Sequence, residues 1–541
     1  MKTEKNNTLK QLALMAFAGI IMMMFLASGC NSDNKPDESE KTKKYTEQHR
    51  NQIHFSPDSM WMNDPNGMFY YDGEYHLFYQ HNPDTNVWAP MHWGHAVSKD
   101  LVHWEHMPIA LYPDDELGMI FSGSGVVDHN NTSGLGSKEN PPLIAIFTHH
   151  DMEAQKAGAI DHETQSIAYS LDRGRTWTKY ENNPVIENPG IKDFRDPKVF
   201  WHEDTEKWVM ILAAQDRVRL YGSPNLKNWE YLSEFGKNSG AHGGVWECPD
   251  LFALDVNGDN GQQKWVMLLS INPGGPNGGS ATQYFVGDFD GKEFTWDEEE
   301  TKWIDWGKDN YAGVTWSDIP KDDGRRIFMG WMSNWQYANI VPTQRWRNAM
   351  TLPRKVTLFE KEDNYHLIFK PLKEINKLRN KKNLDIREKL VTEKDPFEHK
   401  ITVPSEIIAE FTLKEDSQFG KASEYGFIFS NTRGEEKVIA YNTEGQKLKI
   451  DRTQSGLTGF SEDFPVIQEA PLNAKGSLKL HIYLDKASVE IYADDGKRVM
   501  TSIMFPTEDY NKIKAFSKNG NVYIESLEIF DLKSIWNVPQ K

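Results

Sequence analysis

The sequence predicts an all-β protein: a radial array of small sheets of the β-propeller kind, followed by a two-sheet β-sandwich. Three observations predict it. Apolar runs such as Trp208-Val209-Met210-Ile211-Leu212 and Trp265-Val266-Met267-Leu268-Leu269 are short, continuous and bounded by Gly, Asp, Asn and Pro, the texture of buried strands, and no amphipathic helical period stands out from about residue 52 to 354. One unit, a strand, a polar turn and a Trp-bearing strand, recurs at Ala96 to Trp104, Ala168 to Trp177, Leu220 to Trp229 and Val286 to Trp296. From about Val391 the pattern changes to clean alternation, with Ile407, Ala409, Phe411 and Leu413 on one face and Leu478, Leu480, Ile482 and Leu484 on another. Repeats spaced by roughly 50 to 75 residues mark a propeller. Generic hairpins of a sandwich are the alternative that the repeat alone leaves open.

Length and composition bound the rest. A chain of 541 residues implies two folded domains plus extras. With 61 Lys and Arg against 79 Asp and Glu, the net charge of −18 provides no basic field for nucleic acid or anionic lipid, and it suits a neutral substrate. The 18 Trp and 20 Tyr supply β-rich cores and surfaces on which sugars stack. Two cysteines, Cys30 and Cys248, exclude a disulfide framework.

In chain order, Lys2, Lys5 and Lys10 precede an apolar core from Leu12 to Leu26, then Leu26-Ala27-Ser28-Gly29-Cys30. This reads as a secretory signal, too short for a stable membrane span. Its end resembles a bacterial lipobox, which implies cleavage before Cys30 and lipidation of its thiol. Residues 1–29 are thus expected to be a lipoprotein signal peptide and 30–48 a polar tether with little to bury. Acidic residues behind Cys30 resemble a surface-export signal, so the chain is expected on the outer membrane or cell surface, or facing the periplasm.

The organising stretch follows. Trp61-Met62-Asn63-Asp64-Pro65-Asn66-Gly67 sets a carboxylate between an aromatic wall and a turn dipeptide. Met68 to Tyr71, Asp72-Gly73 and Tyr75 to Tyr79 then read as a tight hairpin. Two further acids stand in similar settings: Asp196 in Phe194-Arg195-Asp196-Pro197, and Glu247 in Trp246-Glu247-Cys248-Pro249. A propeller gathers strand ends around its axis, so acids distant in sequence can meet there. Glycoside hydrolysis needs one carboxyl that stays ionised and one that holds its proton. Asp64, beside Asn63, is the better anion. Glu247, between Trp246 and Cys248, is the better acid, with Cys248 as its apolar neighbour. Asp196, kept charged by Arg195, suits hydroxyl binding.

These blocks, together with Phe121-Ser122-Gly123-Ser124, resemble the ordered signatures of glycoside hydrolase family 32, the invertases, inulinases and levanases. Ser488-Val489-Glu490-Ile491-Tyr492 with Gly496 is similar to a stretch of that family's second domain. The resemblance implies a five-bladed β-propeller followed by a C-terminal β-sandwich and retaining cleavage of β-fructofuranosidic bonds in fructans, and of sucrose, exo-acting with release of fructose, with endo-acting cleavage as the alternative; no cofactor or metal is expected. It implies Asp64 as nucleophile, Glu247 as acid/base and Asp196 as transition-state stabiliser, with Asn63, Gln80, Trp88, Phe121, Ser122 and Arg195 holding the fructose. Expected boundaries are 49–355 for the propeller, 356–390 for a connector and 391–541 for the sandwich.

Trp331, Trp335 and Tyr337 could form a sugar platform, with Trp335 taken as a binding residue. His92, His95, His103 and His106 alternate with Trp93 and Trp104 and read as packed histidines. Ser170 to Trp177 matches a single Asp-box, where a sialidase-type enzyme needs several. A non-catalytic fructan-binding lipoprotein is the rival from another class, and the three carboxylates speak against it.

Overall fold

The structure is a computed structural model that describes residues 45–296, 298–362, 364–414 and 420–536. The expected signal peptide and Cys30 lie outside the described residues, as does most of the tether. Three propeller sheets are four- or five-stranded antiparallel meanders. One runs through Met60–Tyr71, Glu74–Asn82, His92–Ser98 and Trp104–Leu111, with the late strand Trp346–Arg347 added in parallel to Met60–Tyr71. The second is Met119–Val127, Leu143–His150, Glu163–Ser170 and Thr178–Lys179, and the third Phe194–His202, Lys207–Ala214, Val218–Ser223 and Glu230–Phe235. A larger sheet joins Val245–Val256, Asp259–Asn272, Ala281–Phe289 and Phe294–Thr295 to Tyr311–Thr315, Arg326–Trp331 and Arg354–Lys361 through a parallel bridge between Val256 and Leu358.

The sequence repeat has one structural cause. Each copy is the turn between the third and fourth strands of a sheet, and each is built by an Asx side chain. Asp100 Oδ1 accepts from the backbone N–H of Val102 and His103, and Asp172 Oδ1 from Arg175 and Thr176. Asn225 Oδ1 accepts from Lys227 and Asn228, and Asp290 Oδ1 from Lys292 and Glu293. A short acceptor that folds back on its own backbone supplies the bonds that a reversing chain cannot make in a ladder.

The sandwich has two six-stranded antiparallel sheets. One is ordered Arg379–Val391, Val522–Leu532, Ser405–Thr412, Ser477–Leu484, Ser488–Ala493, Arg498–Ile503. The other is ordered Phe397–Lys400, Lys512–Lys518, Glu424–Ser430, Glu436–Asn442, Lys447–Asp451, Ile467–Pro471. Between them Ile407, Phe411, Leu480, Ile482, Phe427 and Ile439 form one fully buried cluster.

Residues 356–390, expected as a connector, are mostly strand. Arg354–Lys361 pairs with Asn364–Pro371 inside the propeller sheet, and Arg379–Val391 pairs with Val522–Leu532 at a sandwich edge. Solvent-facing Lys, Arg and Glu interrupt the apolar alternation there, because an outer strand buries only part of one face. Between these strands lies the short 3-10 turn Lys373–Leu378.

Candidate active site

A cavity of about 370 Å³ lies where the first strands of the propeller sheets begin. It is lined by all ten residues singled out in the sequence: Asp64, Asp196, Glu247, Asn63, Gln80, Trp88, Phe121, Ser122, Arg195 and Trp335.

Each first strand breaks register where it delivers a side chain. Pairing shifts between Met62 and Pro65, between Ile120 and Gly123, between Glu247 and Asp250, and between Tyr311 and Val314. Around Asp196 the shift falls opposite Ile211 and Ala213. A bulge bends the strand and re-aims the side chain that it carries. Proline has no N–H to lose at such a place, which explains Pro65, Pro197 and Pro249 beside the three acids. Asp196, Cys248 and Ala312 adopt left-handed backbone, with φ of 66°, 46° and 54°. Such residues cost about 1–3 kcal/mol each and persist where the surroundings over-determine them. At the second bulge, a Cβ on Gly123 would meet the Ile146 carbonyl oxygen at 2.0 Å, so Phe121-Ser122 needs glycine after it.

The three acids share a buried hydrogen-bond system. Ser122 Oγ donates to Asp64 Oδ2 at 2.7 Å, while Asp64 Oδ1 is buried with no partner among the described residues. Asp196 Oδ2 accepts the Cys248 N–H at 3.0 Å, and Asp196 N–H donates to Thr148 Oγ1 at 3.0 Å. The Cys248 thiol lies 3.6 Å from both Asp64 Oδ2 and Asp196 Oδ2. It is therefore a neighbour of the two aspartates, not the apolar cover of Glu247 that the sequence suggested.

Glu247 is polar-bound instead. Arg195 donates to its Oε1 from Nε and Nη2, at 3.3 and 3.1 Å, and the Tyr311 hydroxyl donates to its Oε2. The Trp246 indole, fully buried, donates to the Ala241 carbonyl. Arg195 forms its ion pairs with Glu247, Glu163 and Asp193, and its link to the adjacent Asp196 is one of charge at longer range.

Electrostatics refine the expected roles. Burial pushes the Asp64 carboxyl above the usual range and the Glu247 charge adds to this, against hydrogen bonds from Asn63 and Ser122. Burial also raises Asp196, opposed by the Arg195 charge and reinforced by Glu247 and Asp64. Asp64 beside Asn63 was expected to ionise easily. In the structure burial opposes the ionised form, since Asp64 is only 9% exposed, and hydrogen bonds such as those from Asn63 and Ser122 favour it.

Aromatic rings wall the cavity. Trp335 stacks on Trp61 with centroids 6.0 Å apart and meets Trp88 edge-on at 6.5 Å. Phe121 stacks on His150 at 4.1 Å. Trp331 and Tyr337, the other members of the supposed platform, are buried, and Tyr337 donates its hydroxyl to Asp309 at 2.5 Å. His95 stacks on Phe78 at 4.1 Å, and burial holds its pKa well below the ordinary value.

Four contributors carried no signal in a single sequence: Tyr311, Glu163, His150 and Asp193. Glu163, 0% exposed, accepts from Arg195, from His150 Nδ1 at 3.0 Å and from the Phe194 N–H at 2.6 Å. Despite burial, the charges of Arg195 and the histidine contacts bring its pKa down to about 2. Among the described residues, His150, His162 and Glu163 form the one group whose ligand atoms lie within 4.8 Å of one another. The Glu163 oxygens are already held by a guanidinium and an N–H, which makes the group a hydrogen-bond cluster.

Residues 54–371 match the profile described as glycosyl hydrolases family 32 N-terminal domain, and residues 374–531 that of the family 32 C terminal. The chain is 48% identical over 530 residues to a levanase of Bacillus subtilis, covering 96% of this chain and 75% of the relative. It resembles a crystal structure of exo-inulinase from Aspergillus awamori, with a TM-score of 0.83 and 36% identity over 91% of this chain and 100% of that one. A β-fructofuranosidase from Schwanniomyces occidentalis, complexed with fructosyl-erythritol, gives a TM-score of 0.82 and 35% identity over 92% and 100%.

Proposed function

The chain belongs to glycoside hydrolase family 32 and hydrolyses β-fructosidic bonds of fructans; we propose that it does so by a retaining double displacement with Asp64 as nucleophile and Glu247 as acid/base. The observation that carries this reading is the convergence of Asp64, Asp196 and Glu247 on one cavity, each from a bulge in a different strand. Asp64 Oδ2 is held by Ser122, so the unpartnered Oδ1 is the oxygen free to attack the anomeric carbon. As the Oδ1–carbon bond forms, the bond to the leaving oxygen breaks and that oxygen takes the proton of Glu247. Water then attacks the same carbon, gives its proton to Glu247 and releases the Asp64 carboxylate. Two displacements at one carbon retain configuration.

Asp196 grips fructose hydroxyls and binds more tightly as the ring flattens, which is differential binding of the transition state. Asn63, Gln80, Trp88, Phe121, Ser122, Arg195 and Trp335 shape the fructose site. A cavity of this small volume favours chain ends, so the enzyme is read as exo-acting, with sucrose as a second substrate. The five-blade count rests on the sheet order. Export is supported by the extracellular exo-inulinase of Aspergillus awamori, 39% identical over 528 residues. The lipid anchor at Cys30 rests on the lipobox-like end of the signal segment.

Fructose release from levan, inulin and sucrose by the wild type and by Asp64→Ala tests the assignment. Equal activity in both would end it. Glu247→Gln should lose activity mainly on substrates with poor leaving groups; equal slowing on activated substrates would remove Glu247 as the acid.

A further inference from the structure

The strands whose starts line the active-site cavity end at a second one. It measures about 1010 Å³, against about 370 Å³ for the first. Midway along these strands Lys198, 5% exposed, donates to the Thr315 carbonyl at 2.5 Å and lies 3.5 Å from Asp250 Oδ2. Asp250 Oδ2 also accepts from Thr315 N–H and Oγ1, at 2.7 and 2.8 Å. Lys198 and Asp250 belong to the lining of the second cavity, not the first.

One cation at the second cavity is uncommitted. The Arg326 guanidinium stands over the Phe252 ring, 4.8 Å from its centroid, and forms no hydrogen bond or ion pair among the described residues. Asp250 is fully buried beneath the cavity surface, and its Oδ1 has no partner among the described residues. Arg326 is partly exposed, so its N–H groups are open to the cavity and can donate to an acceptor that enters it. Tyr71, Trp201 and Trp265, all partly exposed, add aromatic surface to the walls.

Charge selects the ligand class. The lining holds six Asp or Glu against three Lys or Arg, a balance that repels an anion. A free guanidinium, acceptor oxygens and indole faces are the groups that bind hydroxyls and C–H faces of a neutral sugar.

We propose that this cavity is a second, non-catalytic binding site for neutral oligosaccharide, which holds one stretch of polymer while another is cleaved at the first cavity. The identity of that polymer rests on the fructan reading above. Tethering raises the local concentration of chain ends without any new contact at the catalytic carboxylates.

Trp201→Ala and Arg326→Gln, each in the full chain, are assayed on sucrose and on inulin. Both should leave sucrose kcat/KM within about twofold and raise KM for inulin about five- to tenfold. Unchanged inulin kinetics in both variants, or equal losses on the two sugars, would overturn the proposal. Binding is read separately by titrating Asp64→Asn with inulin-type oligosaccharide while fructose saturates the first cavity. Binding should persist, and should be lost when Trp201→Ala is added; no binding in Asp64→Asn would overturn the second site. Because this titration needs no turnover, it decides the point even if the wild type released no fructose, a result that would instead sink the reading of the first cavity.

Discussion

Replacing Ser122 by alanine should move the acidic limb of activity to higher pH. Ser122 is 4% exposed, and its hydroxyl donates to Asp64 Oδ2 at 2.7 Å. Burial already pushes the Asp64 carboxyl up, and this hydrogen bond is one of those that oppose the rise. The donor favours the ionised form, so its loss raises the pKa further. Asp64 then keeps its proton to higher pH, and the fraction ready to attack falls on the acid side. A hydrogen bond to a charged group contributes about 1.5–3 kcal/mol. One pKa unit corresponds to about 1.4 kcal/mol, so the limb should rise by about one to two units. The assay is kcat/KM for sucrose in Ser122→Ala and wild type, from about pH 3 to 8, where the profile reports groups of the free enzyme. If plateau activity dropped while the acidic limb stayed in place, Ser122 would only bind substrate. The link from this hydroxyl to the nucleophile would then be refuted.

Three further outcomes follow from contacts in the same fold. Asp64→Asn should be inactive and more heat-resistant than wild type near neutral pH: a raised carboxyl pKa means stability that is lost as pH rises, so the difference in Tm should vanish toward pH 4 and below. Tyr311→Phe removes the hydroxyl that donates to Glu247 and should lower kcat/KM about tenfold or more, with little change in Tm; an unchanged rate would assign Tyr311 to packing. His54, fully buried between Asp485 and Glu490, has its pKa raised to about 9 because those two carboxylates outweigh burial. That stabilisation is complete below about pH 6.5 and lost as pH rises through about 9, so His54→Gln should lower Tm at pH 6 and converge with wild type near pH 10, as followed by scanning calorimetry.

Much of the site was legible because its chemistry is locally encoded. The pairs Asp64-Pro65 and Asp196-Pro197, and Pro249 two residues after Glu247, mark bulges where a residue without an N–H is tolerated, and Asx turns mark four of the third-to-fourth strand connections. Side-chain partners chosen by the closing of the ring were not legible. Cys248 follows Glu247 in sequence, yet its left-handed backbone turns the thiol to Asp64 and Asp196. Arg195 precedes Asp196, yet its ion pairs are with Glu247, Glu163 and Asp193.

The sequence by itself therefore determined the all-β class, the propeller-then-sandwich order and the family, and it picked out three acids as candidates, since these depend on period, turn chemistry and short blocks of neighbouring residues. Only the tertiary structure decided which oxygen of Asp64 is uncommitted, that Tyr311 donates to Glu247, and that Arg326 faces a second cavity. Those facts depend on how separate sheets face one another, and no local propensity carries that information.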